Sequence, residues 1–252
     1  MKYRAFWLIT VLFFAVFISG TIAQRNDVAL ISGTCKDDIG TSLALELRFV
    51  TPGQMPAITR SNSDGTFQQV IKQGKTYLPL FKGYMELGGF HFFDVSLQNK
   101  YFEFQKDFIL LPIEVGKELT SARFFEKGDT ILSQEGKDFL ALFKEFFSIN
   151  KNINCNVMIS APITKFKSKK VNQYVEVKGK KKKKRVTIPA KQIEDEFLQA
   201  RVNQLAAAVK EIGLPTRVFN YEFEYPKKIT KLKKGENPPN NIRVVIAKVL
   251  KI

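Results

Sequence analysis

The chain has 252 residues, 44% of them hydrophobic, which provides enough apolar surface for two modest domains with real cores and excludes an intrinsically disordered protein. Its formal net charge is +16, with 40 basic residues against 24 acidic ones. The only two cysteines, Cys35 and Cys155, are expected to be buried thiols, with an interdomain disulfide as the alternative in an oxidising compartment. With a single histidine the sequence predicts no His-rich metal site, and we expect no metal or cofactor.

Residues 1–23 have the pattern of a secretory signal peptide. Lys2 and Arg4 form a basic start, residues 5–18 an apolar core, and residues 21–23 a small-residue cleavage site. Cleavage predicts export to the periplasm or cell envelope, with association with the outer membrane as one option. The alternative is a retained membrane anchor, because the uncharged run approaches the roughly 20 residues that span a bilayer. We expect a protein peripheral to the membrane unless the leader is retained.

Residues 26–110 predict an antiparallel β-sandwich. Short runs of alternating apolar and polar residues are separated by turn residues, and no helical period is present. One such run places its apolar side chains on a single face: Leu43, Leu45, Leu47 and Phe49. Gly65 supplies the positive φ of a tight turn, in which Asp64 accepts a local hydrogen bond.

This region resembles the carboxypeptidase regulatory-like, transthyretin-like sandwich of exported bacterial proteins. The resemblance implies a structural or spacer module without catalytic activity, and it offers other envelope proteins as partners. It rests on the order of these residues: Gly33, Asp37, Asp38, Gly40, Ser63 to Phe67, Gly74, Tyr77, Gly83 and Tyr84.

Residues 115–252 alternate between strand and helix patterns. They predict a strand at 121–127, a helix at 134–147 capped by Ser133, a buried strand at 154–160, a helix at 191–212 and two final strands. The second helix carries an apolar stripe and ends at Gly213: Leu198, Val202, Leu205, Val209 and Ile212. The order β-α-β-α-β-β predicts an α+β domain with helices on one face of a mixed sheet.

The same residues resemble the OmpA-like domain, a peptidoglycan-associating module. The resemblance rests on segments that occur in the family's order: Phe124-Phe125, Leu132 to Gly136 with Phe139-Leu140, Val157 to Ile159, Arg201 to Pro215, and Asn241 to Ile246. In that family an aspartate after the central strand and an arginine in the following helix clamp the charged end of diaminopimelate in the peptidoglycan stem peptide. Such a pair of contacts is charge-assisted at both ends.

Only half of this clamp is present in the sequence. Arg201 matches the family's arginine, but Thr164, or a neighbour of it, stands where the aspartate is expected. Glu194 lies two helical turns before Arg201 on the same face, so it is either a substitute carboxylate or a plain surface charge near the helix start. Arg201 is either a retained ligand contact or an arginine that flanks the apolar stripe.

A basic insert at 165–189 is absent from the family pattern. Between Lys165 and Arg185 eleven basic residues stand against one acid, and five more basic residues lie at 227–234. The insert predicts a β-hairpin with strands at 171–177 and 186–188. We expect contact with an anionic surface through Lys178, Lys180, Lys181, Lys182, Lys183, Lys184 and Arg185, although a solvated mobile loop is the alternative.

These patterns predict an exported binding or structural protein that associates with peptidoglycan or another anionic envelope component. The alternative is an OmpA-like scaffold that has lost wall binding and serves protein-protein or polyanion interactions, with heparin-like polymers or acidic lipids as ligands. Export argues against a nucleic-acid partner. We expect no enzyme, since no nucleophile motif, metal spacing or phosphate loop is recognisable.

Overall fold

The computed structural model describes residues 27–98, 100–177, 180–226, 231, 233–234 and 236–250. The predicted signal peptide, Lys178 and most of the basic loop at 227–234 therefore lie outside the described residues. The chain divides into two compact units between Pro112 and Ile113. Both units are rich in strands, and the described helices belong to the second, so the chain is of the α+β class.

Nine strands form the sheet of the first unit. They are β1 (Val28–Asp37), β2 (Glu46–Val50), β3 (Ala57–Arg60), β4 (Thr66–Lys72), β5 (Lys75–Phe81), β6 (Tyr84–Glu86), β7 (Phe93–Val95), β8 (Phe102–Gln105) and β9 (Phe108–Pro112). Their main path is β3-β2-β5-β6-β9-β1-β4, with β7 on β5 and β8 on β1. The two end strands of this path, β3 and β4, are in contact with each other, as a hydrogen bond from Thr59 Oγ1 to Gln68 O at 3.0 Å shows.

The prediction of a purely antiparallel arrangement is wrong for β1. This strand pairs in parallel with β8 and β9, and antiparallel only with β4. The parallel partners come from the far end of the unit, so a long connection rather than a hairpin separates them from β1. Local turn patterns do not reveal such long-range pairing.

The core of the first unit combines aliphatic side chains with a group of aromatic rings. Leu45, Leu47 and Phe49 are buried as the alternation predicts, although β2 begins only at Glu46. Phe67 and Phe108 stack with ring centroids 5.6 Å apart. Aromatic pairs of this kind add to the free energy gained by apolar burial.

The turn before β4 requires glycine for two reasons. Gly65 has φ of 82°, and a Cβ built there would lie 2.6 Å from Cys35 O. Asp64 Oδ1 accepts from Thr66 N at 2.9 Å and from Thr66 Oγ1 at 2.7 Å, and these bonds lower the pKa of Asp64. The local hydrogen bond expected for Asp64 is confirmed.

The second unit contains a four-stranded mixed sheet, two helices and a separate hairpin. In chain order they are β10 (Glu118–Ala122), α1 (Gln134–Ile149), β11 (Ile153–Ile159), β12 (Lys169–Val177), β13 (Lys180–Ile188), α2 (Ala190–Glu211), β14 (Phe219–Phe223) and β15 (Ile242–Val249). The sheet order is β10-β15-β11-β14. Strands β11 and β14 are parallel, and the other neighbours are antiparallel.

Both helices pack their apolar sides on this sheet. The Ser133 cap is confirmed, since its Oγ accepts from Gly136 N at 3.1 Å. Helix α2 ends before Gly213, whose φ is 76°. A void of about 10 Å³ marks where the helices meet the sheet, and it is lined by Phe124, Leu140, Phe143, Val157, Leu205, Val209, Phe219 and Val244. Neither described helix has the length and hydropathy that a membrane span needs.

The first strand of the second unit lies earlier in the sequence than predicted. Phe124 and Phe125 were expected in the first strand of the second unit, but β10 ends at Ala122. Their backbone N–H groups donate to the side chain of Asn241, at 3.0 and 3.2 Å, instead of to a neighbouring strand. Both rings remain 1% exposed, so the apolar pattern correctly indicates burial but not strand structure.

Both cysteines are buried free thiols. Cys35 lies in β1 and Cys155 in β11, each 0% exposed. Burial raises the pKa of each thiol to about 12, which leaves almost no thiolate at neutral pH.

Candidate functional site

Arg201 lies inside the second unit, where backbone carbonyls surround its guanidinium. The side chain is 2% exposed on the inner side of α2. Nη1 donates to Ser160 O at 2.6 Å, Nε to Asp129 O at 2.9 Å and Nη2 to Glu126 O at 3.1 Å. The guanidinium therefore joins the end of β11 to the loop between β10 and α1. We call Arg201 with these three carbonyls the Arg201 cluster.

Two aromatic rings lie against the guanidinium of the Arg201 cluster. The guanidinium carbon lies 4.7 Å from the ring centroid of Phe125 and 4.7 Å from that of Phe197. Planar guanidinium groups stack well on such rings. Burial lowers the pKa of Arg201 to about 10, with the nearby Asp129 charge opposing part of the shift, so the group stays charged at neutral pH.

Asn241 also holds the loop before α1 in place through hydrogen bonds. Its burial was not predicted from the sequence. It is 5% exposed. Its Oδ1 accepts from the backbone N–H groups of Phe124 and Phe125, and its Nδ2 donates to Phe125 O. The only sequence signal for this role is that two consecutive asparagines, Asn240 and Asn241, stand directly before an apolar strand.

The other predicted ligand residues are placed differently from Arg201. Thr164 ends a short turn, with its N–H donating to Ala161 O at 3.1 Å. In the described part of the chain, its Oγ1 is buried without a hydrogen-bond partner. Glu194 is half-buried, and no ion pair joins it to Arg201 among the described residues. Its neighbour Asp195 accepts instead from Tyr225 Oη and pairs with Lys191 at 3.5 Å.

The basic insert forms a regular two-stranded ribbon. Strands β12 and β13 pair antiparallel over nine residues each, from Lys169 opposite Ile188 to Val177 opposite Lys180. Within the described residues this pair joins no other strand. We call residues 169–188 the cationic ribbon. It carries the run Lys180 to Lys184 inside a strand rather than in a loop, so the mobile-loop alternative does not describe this structure.

The basic side chains of the cationic ribbon are open to solvent. Lys181, Lys182, Lys183, Lys184 and Arg185 are all exposed. The partner strand supplies the residues that favour β structure, among them Val171 and Tyr174. Alternate side chains of a strand point to opposite faces, so lysines on one face are roughly 7 Å apart and repel one another less than adjacent charges would.

The first unit contains an open groove on its surface. It has a volume of about 570 Å³ and is lined mainly by apolar residues of the first strands, including Val28, Ala57, Val70, Ile71 and Tyr77. Met55 at its rim is 94% exposed, and Val70 is 52% exposed. The predicted contact between this unit and other envelope proteins stays a prediction.

Across residues that the structure describes, no group of three or more His, Cys, Asp or Glu side chains is placed to hold a metal ion. The prominent charged features are the buried Arg201 cluster and the exposed cationic ribbon, which can attract anions through long-range electrostatics.

Comparisons with known proteins add no family to this description. No protein-family model and no curated protein matches the chain. Among solved structures, the Bacillus anthracis TIE protein is similar at 8% identity and a TM-score of 0.26, covering 65% of this chain and 27% of that one. A 9R-lipoxygenase from Cyanothece PCC8801 is similar at 9% identity and a TM-score of 0.23, covering 75% and 46%. The chain thus spans less than half the length of either.

Proposed function

We propose that this chain is a non-catalytic binding protein of the cell envelope, and that the cationic ribbon holds it on an anionic envelope polymer such as peptidoglycan. The observation that carries the proposal is the exposed run of basic side chains in a paired strand. A pre-ordered array of cations loses less conformational entropy on binding than a mobile loop would.

The proposal includes a divergent OmpA-like second unit. The order of its elements, with β-α-β before the cationic ribbon and α-β-β after it, supports this assignment. The first unit would then be a carboxypeptidase regulatory-like spacer. The leader pattern at residues 1–23 is the basis for placing the protein in the periplasm or at the outer membrane.

The geometry of the Arg201 cluster favours a version in which the family's clamp no longer binds. Arg201 is 2% exposed and three of its five N–H groups already donate to carbonyls, so a diaminopimelate carboxylate would reach it only if the surrounding loop moved. Thr164 cannot replace a carboxylate in pairing with an ammonium. The clamp of Arg201, Thr164 and Glu194 therefore stays a prediction, and the cationic ribbon is the better-supported contact.

Co-sedimentation with purified peptidoglycan at increasing salt tests the proposal. We expect the bound fraction to fall steeply between about 50 and 300 mM salt, because the Debye length shrinks below roughly 10 Å in that range. A neutral insoluble polysaccharide serves as the control and should retain little protein at any salt concentration. Binding to peptidoglycan that does not change with salt would contradict the proposal.

A further inference from the structure

The register of the cationic ribbon places an aromatic side chain among its cations. Tyr174 lies directly opposite Lys183, while Asn172 lies opposite Arg185 and Glu176 opposite Lys181. Directly opposed residues of an antiparallel pair share a face, and so do residues two apart on one strand. We call this side the Tyr174 face. Its described members, all exposed, are Lys170, Asn172, Tyr174, Glu176, Lys181, Lys183, Arg185 and Thr187.

Tyr174 is open to solvent on this face. Its exposed fraction is 70%, which is unusual for a large aromatic side chain in a regular strand. Cross-strand neighbours have Cβ atoms about 5 Å apart, so the side chains of Tyr174 and Lys183 start from adjacent positions on this face. An exposed ring offers a flat apolar surface on which another ring can pack.

The polar groups beside Tyr174 indicate which ring-bearing polymer fits. Glu176 and Asn172 provide oxygen atoms that accept hydrogen bonds from hydroxyl groups. The hydroxyl groups of sugars are donors of this kind, and the C–H groups of a sugar ring form an apolar face. The backbone of DNA offers only acceptors there, whereas a glycan also offers hydroxyl donors to Glu176 and Asn172. The combination therefore favours a glycan that carries acidic groups over a nucleic acid.

The opposite side of the cationic ribbon provides an internal comparison. Lys182 and Lys184 project there, and Gln173 lies opposite Lys184. Among the described side chains of that side no aromatic residue is present. The two faces thus differ in the aromatic ring and not only in charge.

We infer that the Tyr174 face binds an acidic polysaccharide, with Tyr174 packing on a sugar ring and Lys181, Lys183 and Arg185 contacting the acidic groups. This inference rests on the proposed function and names the chemistry that the same ribbon recognises. Carboxylate-bearing and phosphate-bearing glycans share this chemistry, and the probes below separate them.

The first test compares two carboxylate polymers, polygalacturonate and poly-L-glutamate, with the full chain. Both carry repeated carboxylates, but only the first carries sugar rings. We expect Tyr174→Ala to raise the Kd for polygalacturonate about threefold to tenfold and to leave the Kd for poly-L-glutamate unchanged. Tyr174→Phe should bind polygalacturonate nearly as well as the wild type. A teichoic acid tests phosphate-bearing glycans in the same way.

The second test removes the same number of charges either from the Tyr174 face or from the opposite face. The pair Lys181→Gln with Lys183→Gln and the pair Lys182→Gln with Lys184→Gln each remove two charges from the same strand. We expect the first pair to weaken polygalacturonate binding more than the second, while both weaken poly-L-glutamate binding equally. Unchanged thermal unfolding of each variant shows that the fold is retained.

The outcomes separate this inference from the proposed function. If Tyr174→Ala binds like the wild type and both lysine pairs act equally, the Tyr174 face is not selective and the inference is overturned, although charge-driven binding by the ribbon stands. Oligo(dT) serves as a single-stranded DNA probe. If Tyr174→Ala weakens binding of oligo(dT) as much as binding of polygalacturonate, the assignment to glycans is overturned. If neutralising all of Lys181 to Lys184 leaves polymer binding intact, the proposed function itself fails.

Discussion

Arg201 shows how a residue typical of a binding site can serve the fold instead. A buried guanidinium is stable only when its N–H groups are paired, and here carbonyls from two loops receive them. The resulting contacts hold the end of β11 and the loop before α1 together. The guanidinium is therefore enclosed by contacts that stabilise the fold, and a ligand would reach it only after this loop moved.

Arg201→Ala should lower the free energy of unfolding by about 3 kcal/mol or more, because it leaves buried carbonyls without donors. Arg201→Lys should recover only part of this loss, since an ammonium cannot reach three separated acceptors in one plane. Urea unfolding followed by circular dichroism measures both variants. Lys210→Ala, at an exposed position of the same helix, is the control and should change stability by less than about 0.5 kcal/mol. An Arg201→Ala protein as stable as the wild type but deficient in peptidoglycan binding would restore the ligand role.

The burial of Arg201 could have been predicted in part from spacing. It lies three residues after Leu198 and four before Leu205, which places it on the buried stripe of α2 rather than beside it. Its carbonyl partners could not be predicted, because they come from positions 126, 129 and 160, far away in the sequence.

At the scale of elements, the start of α1 depends on close contact with the preceding loop. Gly136 follows the Ser133 cap, and a Cβ built there would lie 2.8 Å from Phe124 O and 2.9 Å from Phe124 Cα. Ser133 Oγ also donates to Phe124 O at 3.0 Å. Cap and loop are thus parts of one packed turn.

Gly136→Ala should destabilise the protein although alanine is the better helix former. The gain in helix propensity is about 1 kcal/mol, whereas forcing a Cβ against backbone atoms costs about 1 to 3 kcal/mol. Thermal unfolding measures the net effect. Lys137→Ala, at the next and exposed position, places an alanine in the same turn without the clash; because lysine is itself a good helix former, it should be neutral or slightly stabilising. A raised melting temperature for Gly136→Ala would show that the loop can move aside.

The elements differ in how well local patterns predict them. The Ser133 cap and the hairpin of the insert follow from spacing and turn residues, and the structure confirms them. The apolar stripe of α2 is confirmed in part, since Leu198, Leu205 and Val209 are buried whereas Val202 and Ile212 are half-buried. The lysine run was expected in a loop because its charges repel, but backbone pairing with a β-favouring strand places it in β13. The parallel partners of β1 depend on contacts distant in sequence.

At the scale of the whole molecule, the positive charge is unevenly distributed. The segments at 165–185 and 227–234 carry a net charge of +10 and +5, and without the predicted leader the rest sums to about −1. An anionic polymer is therefore attracted to the basic segments and not to the rest of the surface. The position of these segments then determines how the bound protein is oriented.

The most direct test of this account compares two variants with the same net charge in peptidoglycan co-sedimentation at low salt. One carries Lys→Gln at Lys181, Lys182, Lys183 and Lys184 in the cationic ribbon, and the other at Lys137, Lys144, Lys151 and Lys210, which are exposed elsewhere in the second unit. We predict that the first variant loses most of its binding while the second sediments like the wild type. Equal losses from both variants would contradict the account, because net charge alone would then explain the binding.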